Sequence, residues 1–180
     1  YIFNPSMLAL DGVDDYVSVA DTGKINLAYG FSMTAWVKRA ADDGPGVVYS
    51  AGSAASAWYV GFGADNRLFF GAGAQTSVAS LNPVSTGVWH HIAVTKNGAG
   101  ADSVILYVDG VEAGRGAFAA LTAPGGEKWM GARSGAADSF LKGEIDELRL
   151  YNRVLTTREI GRLAAGSVCA ADGTSWATAF

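Results

Sequence analysis

Phe31-Ser32-Met33-Thr34-Ala35-Trp36-Val37-Lys38 decides the fold class. Phe31, Met33, Ala35 and Val37 fall on one side of an extended chain, which predicts a strand with one face in a core. Working outward, similar short runs recur: Met7–Leu10, Tyr16–Val19, Gly46–Ser50, Trp58–Gly63, Arg67–Gly71, Val88–Lys96, Val104–Asp109, Lys128–Gly131 and Gly143–Tyr151. Each is bounded by Gly, Asn, Asp or Pro, the residues that turn a chain. Asp109-Gly110 is a type I′ hairpin signal with Val111–Gly114 as the return strand, and Asp65-Asn66 marks another hairpin. The reading is an all-β, two-sheet antiparallel sandwich.

One segment departs from the period of two. Leu155–Leu163 predicts a short helix, with Thr156 and Glu159 as a capping box, Ile160 and Leu163 as its apolar stripe and Gly166 just past its end. It is expected to lid one end of the sandwich. The domain is expected to span residues 7–166. Residues 1–6 are read as a linker or edge segment, and residues 167–180 as a tail or a linker to a further domain.

Composition narrows the function classes. The chain has 180 residues, 49% hydrophobic and 17% charged, with a net charge of -4. Its 13 Lys and Arg are dispersed, so nothing resembles a nucleic-acid footprint. No apolar run reaches the roughly 20 residues of a membrane helix. Cys169 is the only cysteine, which excludes an internal disulfide and a cysteine-built zinc cluster.

Five motifs in order resemble one family: Leu8-Ala9-Leu10-Asp11-Gly12-Val13-Asp14-Asp15-Tyr16-Val17, Phe31–Val37, Trp89-His90-His91-Ile92-Ala93-Val94-Thr95, Leu106-Tyr107-Val108-Asp109-Gly110 and Gly143–Leu155. The sequence resembles the laminin-G-like jelly rolls of the concanavalin A-like lectin/glucanase superfamily. The resemblance implies N- and C-terminal strands paired as neighbours. It also implies an extracellular or cell-surface location, and a monomeric binding module within a multidomain chain. A glycan is the expected partner, with protein–protein adhesion or a spacer role as the alternative.

Asp11, Asp14 and Asp15 share a Gly-containing turn, and Asp146 lies in the last long strand. Calcium takes six to eight oxygens from carboxylates and carbonyls, which such a turn supplies. The resemblance implies a structural calcium between the first turn and the last strand. Asp11, Asp14 and Asp146 are therefore its candidate ligands.

Catalysis is not expected. A retaining glycosidase needs two carboxyls about 5 Å apart. On a regular strand Glu144 and Asp146 share a face, but the next residue there is Leu148, and Glu147 points away unless a bulge intervenes. His90 and His91 are adjacent and face opposite ways. No GxSxG elbow accompanies them. For a sugar, the candidates are the rings of Trp58, Tyr59 and Trp129 with Asn66, Arg67 and Gln75 as polar partners. Trp36 and Trp89 are expected in the core.

Overall fold

The computed structural model describes residues 7–20, 30–41, 44–52, 57–73, 78–98, 100–119, 126–134, 139–166, 168–169 and 175–176. In chain order the strands are β1 (Leu8–Asp11), β2 (Val17–Val19), β3 (Phe31–Arg39), β4 (Gly46–Ala51), β5 (Trp58–Phe62), β6 (Leu68–Ala72), β7 (Val78–Ala79), β8 (Trp89–Lys96), β9 (Gly100–Val108), β10 (Val111–Phe118), β11 (Lys128–Met130) and β12 (Lys142–Tyr151). A helix, α1 (Thr157–Ala164), follows, then two short strands, β13 (Val168–Cys169) and β14 (Ser175–Trp176), which pair with each other. Gln75 and the ends of the chain at 1–6 and 177–180 lie outside the described residues.

Two six-stranded antiparallel sheets face each other, in the orders β1-β12-β3-β8-β9-β10 and β2-β11-β4-β5-β6-β7. The chain crosses between them repeatedly, as a jelly roll does. β1 and β3 flank β12, with Leu8 opposite Ile145 and Val37 also opposite Ile145, so the first and last long strands are neighbours.

The alternation in β3 holds. Phe31, Met33, Ala35 and Val37 point inward with Ile92, Val94, Val104 and Leu106, and meet Trp58, Val60, Phe62, Leu68 and Phe70 of the other sheet. The Trp58 ring lies 4.6 Å from Phe31 and 5.9 Å from Phe70, centroid to centroid, and is wholly buried. Buried cations close the core at both ends of β3. At one end Arg39 lays its guanidinium 4.6 Å from the Phe62 ring centre and donates to Asn66 Oδ1 and the Gly44 carbonyl. At the other, Lys96, opposite Phe31, donates to the Gly98 carbonyl. Their stems extend the apolar layer while their heads reach loop carbonyls.

Two expectations need correction. Trp36 and Trp89 are half-buried on the outer face of the first sheet, because they alternate with core residues of β3 and β8. The helix does not close an end of the sandwich. Leu155 and Ile160, with Leu163, pack on Ala93, Tyr107, Ile105 and Tyr151, the outward side chains of β8, β9 and β12. The capping box itself is present: Thr156 Oγ1 accepts from the Glu159 amide, and the Thr156 amide donates to Glu159 Oε2.

Arg153 also donates to both Glu159 oxygens, at 3.1 and 2.6 Å. These bonds, led by the Arg153 contact, hold the Glu159 carboxyl down at about 2 instead of its ordinary 4.5. The native state keeps the carboxylate ionised where the unfolded chain protonates it. This contribution is therefore complete above about pH 4.5 and disappears as pH falls towards 2. Glu159→Gln should melt lower at pH 6 and show a shallower loss of melting temperature between those limits. Trp58→Ala should cost about 3–5 kcal/mol in a denaturant titration, the cost of emptying a large core site.

Candidate functional site

The loop from β1 to β2 carries the chain from an edge of one sheet to the same edge of the other. Its geometry follows from its sequence. Asp11 Oδ1 accepts the Val13 amide at 2.8 Å and the Asp14 amide at 3.4 Å, and Asp15 Oδ2 accepts the Asp11 amide at 3.1 Å. These Asx-type bonds curl the turn. Gly12 has φ +81°, and a Cβ there would stand 2.7 Å from Lys142 Cβ, so glycine is required twice over. One carboxylate oxygen each from Asp11, Asp14 and Asp15 then lies within 4.8 Å of the others, and all three residues are exposed.

Tyr16 follows directly. Its ring stacks on Trp129 at 4.2 Å and 15° between planes, with Phe140 at 6.5 Å. Trp129 is nearly covered, with its indole N–H donated to Glu127 Oε2, whereas Tyr16 is 43% exposed. An open aromatic face thus sits one residue from three converging carboxylates.

The other expected site residues scatter. Asp146 does not join the turn. Asp11 pairs with Lys142, and Asp146 stands four residues further along β12, roughly 13 Å away at strand rise. Its Oδ1 instead accepts the Glu147 amide. Trp58 is core and offers no platform. Tyr59 points outward but lies against Gly71, with the Arg133 guanidinium 4.8 Å from its ring centre and Phe69 edge-on at 5.8 Å. Asn66, at φ 62° in the β5–β6 turn, accepts from Arg39, and Arg67 pairs with Asp65.

The carboxylates of β12 are engaged in structure. Glu144 pairs with Lys38 at 3.4 Å and Glu147 with Arg149 at 3.0 Å. A bulge does intervene: Asp146 lies opposite Trp36 and Arg149 opposite Thr34, and Glu147 takes φ 50°. The extra residue flips the parity. Ile145 and, beyond the bulge, Leu148 and Leu150 all meet the core, so Leu148 is not on the face of Asp146. The spacing of Ile145, Leu148 and Leu150 was the signal for it.

The two histidines do face opposite ways. His91 is buried against Trp36, edge-on at 5.5 Å. His90 is half-buried. It bonds Ser85 of the β7–β8 loop and Asp109 of the β9–β10 turn, so a Ser and an Asp do accompany it.

Residues 11–161 match the laminin G-type family described as the concanavalin A-like lectin/glucanases superfamily. This chain belongs to that superfamily. Domain 4 of AbnA, a GH43 extracellular arabinanase from Geobacillus stearothermophilus solved with arabinotriose, is 25% identical, with a TM-score of 0.70, over 88% of this chain and 76% of that one. A heptameric SAP-like pentraxin from Limulus polyphemus is 16% identical, with a TM-score of 0.57, over 96% and 92%. Domains LG4-5 of the mouse laminin alpha1 chain are 18% identical, with a TM-score of 0.63, over 82% and 43%. No curated protein matches the sequence. Among the described residues of this concanavalin A-like domain, no helix is long and apolar enough to cross a membrane.

Burial lowers the His91 pKa from 6.5 to about 4. The native state keeps the ring neutral while the unfolded chain takes up a proton below pH 6.5. Stability is therefore complete above pH 6.5 and falls as pH drops towards 4. His91→Gln should flatten that limb of a plot of unfolding free energy against pH, by up to about 3 kcal/mol at its foot.

Proposed function

We propose that this domain is a carbohydrate-binding module of an extracellular protein, and that it holds its sugar beside the Asp11–Asp15 turn without cleaving it. The observation that carries the reading is the exposed Tyr16 ring stacked on Trp129, next in sequence to the turn that gathers three carboxylates. A pyranose or furanose ring presents C–H groups to an aromatic face and hydroxyls to its rim. The similar arabinanase domain was solved with arabinotriose, so arabino-oligosaccharides are the first ligands to try. The structural engagement of Glu144, Asp146 and Glu147 supports binding over hydrolysis.

The donor chemistry of the turn fits calcium. Asp11, Asp14 and Asp15 would hold the ion, leaving Asp146 out. Its chemistry there would be charge neutralisation and, at an open coordination position, attraction of sugar hydroxyls.

Two measurements test this. Arabinotriose titrated calorimetrically should bind, and Tyr16→Ala should weaken the Kd about tenfold, the worth of roughly 1.4 kcal/mol. Absence of binding to any sugar on a glycan array would overturn the sugar reading. Calcium at about a hundred times its Kd should raise the melting temperature by roughly 5–10 °C over the EDTA-treated protein. An identical melt in EDTA and calcium would overturn the metal site, and Asp11→Asn should abolish the shift.

A further inference from the structure

Where the β7–β8 loop, the start of β8 and the β9–β10 turn meet, three side chains make one hydrogen-bonded chain. Ser85 Oγ and His90 Nε2 are 2.7 Å apart, and His90 Nδ1 and Asp109 Oδ2 are also 2.7 Å apart. A carboxylate only accepts, so Nδ1 carries the ring proton and donates it to Asp109. Nε2 is left as the acceptor for the Ser85 hydroxyl. Asp109 is itself held: its Oδ1 accepts the His91 amide at 2.9 Å, and it sits at φ 51° in the β9–β10 turn. Each atom has the role that a nucleophile, base and orienting acid require.

The chain of bonds opens on a cavity of about 390 Å³. Ser85 and His90 line it together with Leu81, Val84, Val108 and Val111. Leu81 is 75% exposed and Val111 70%, an unusual cost in water for two aliphatic side chains at one rim. The imidazole is mostly shielded, with 17% of its side chain accessible. Glu112, which also lines the cavity, is tied to Arg115 at 2.6 Å and does not compete for the histidine.

We propose that Ser85, His90 and Asp109 form a serine-nucleophile relay that hydrolyses short-chain carboxylic esters whose acyl group lies on Leu81 and Val111. Ser85 Oγ bonds to the ester carbonyl carbon as His90 Nε2 takes the hydroxyl proton. The tetrahedral adduct collapses, the C–O bond to the alcohol breaks, and the leaving oxygen takes the proton from Nε2. Water then attacks the acyl-serine and gives its proton to Nε2. Collapse releases the carboxylic acid, and the proton returns to Ser85. Asp109 stays ionised and stabilises the imidazolium, so it is a positioning residue. Nothing is oxidised or reduced. The inference is independent of the sugar reading.

The test uses a fluorophosphonate probe and p-nitrophenyl butyrate on the intact chain. Mass spectrometry should place the phosphonyl adduct on Ser85. Ser85→Ala should lose the adduct and at least about a hundredfold of the turnover, within the range that positioned base catalysis supplies. His90→Gln should likewise lose labelling. Should that variant fail to fold, the Ser85→Ala comparison stands alone, because loss of one surface hydroxyl leaves the core intact. Asp109→Asn should lower kcat with KM unchanged, because an amide that donates to Nδ1 selects the wrong imidazole tautomer. No adduct at Ser85, or turnover unchanged in Ser85→Ala, would overturn the proposal and leave the three residues as a brace for the β9–β10 turn. An unchanged kcat would remove Asp109 from the relay.

Discussion

β12 lies between β1 and β3, hydrogen-bonded to both, and this triple ladder joins the two ends of the domain. Such a pairing closes nearly the longest loop the domain has, at an entropic cost that must be offset before any gain appears. The offset comes from the core. Ile145 sits between Leu8 and Val37 and buries its side chain with them, so the ladder and the apolar layer form together. Once β1 is fixed at the edge of one sheet, the following turn must cross to β2 at the edge of the other. The Asp11–Asp15 turn is therefore not a free loop. It is a short strap held at both ends, with Gly12 pressed on Lys142.

The bulge in β12 is the second consequence. Leu8 and Val37 demand an inward Ile145, while the outer end of β12 must offer Leu148 and Leu150 to the core. Regular pleating cannot satisfy an odd spacing. Placing Glu147 at φ 50° costs some backbone strain but restores the alternation, and it leaves Tyr151 outward as a seat for α1. The helix thus depends on the bulge: a strand of unbroken parity would send Tyr151 into the core and leave Ile160 without its neighbour.

Much of this was legible before any coordinates. The bounds of β3, the Asp109-Gly110 turn and the capping box of α1 are local, and local chemistry specifies them: Asp109 and Gly110 both take positive φ, as a type I′ turn requires. What sequence reasoning missed depends on partners. Either of two neighbouring aromatic residues could face the core in β5, and only Phe31 across the core and Phe70 on the next strand select Trp58 over Tyr59. The distance from Asp11 to Asp146 depends on ladder register, which motif order does not reveal. Tyr16 escaped notice because its value lies in stacking on Trp129, a residue of a strand that follows ten others. The relay is a mixed case. Antiparallel β8 and β9 would bring Asp109 near His90 and His91, but nothing local places Ser85 there.

The electrostatics distinguish one edge of the sandwich from the other. The described carboxylates of β10, β12 and α1 largely face cations: Glu112 with Arg115, Glu144 with Lys38, Glu147 with Arg149 and Glu159 with Arg153. Exposed pairs of this kind add little to stability, but they leave those surfaces nearly neutral. In the Asp11–Asp15 turn, backbone amides bind the Asp11 and Asp15 carboxylates and curl the chain so that Asp14 joins them, and amides do not cancel charge. Mutual repulsion at under 5 Å works against the very curl that the hydrogen bonds enforce. A divalent cation would relieve it, and the rigid ladder on either side means little reorganisation is needed for binding. Near the β9–β10 turn, by contrast, Leu81 and Val111 face water beside the Ser85–His90–Asp109 hydrogen bonds. The same two-sheet frame therefore presents a charged, aromatic turn at one place and an exposed aliphatic rim at another.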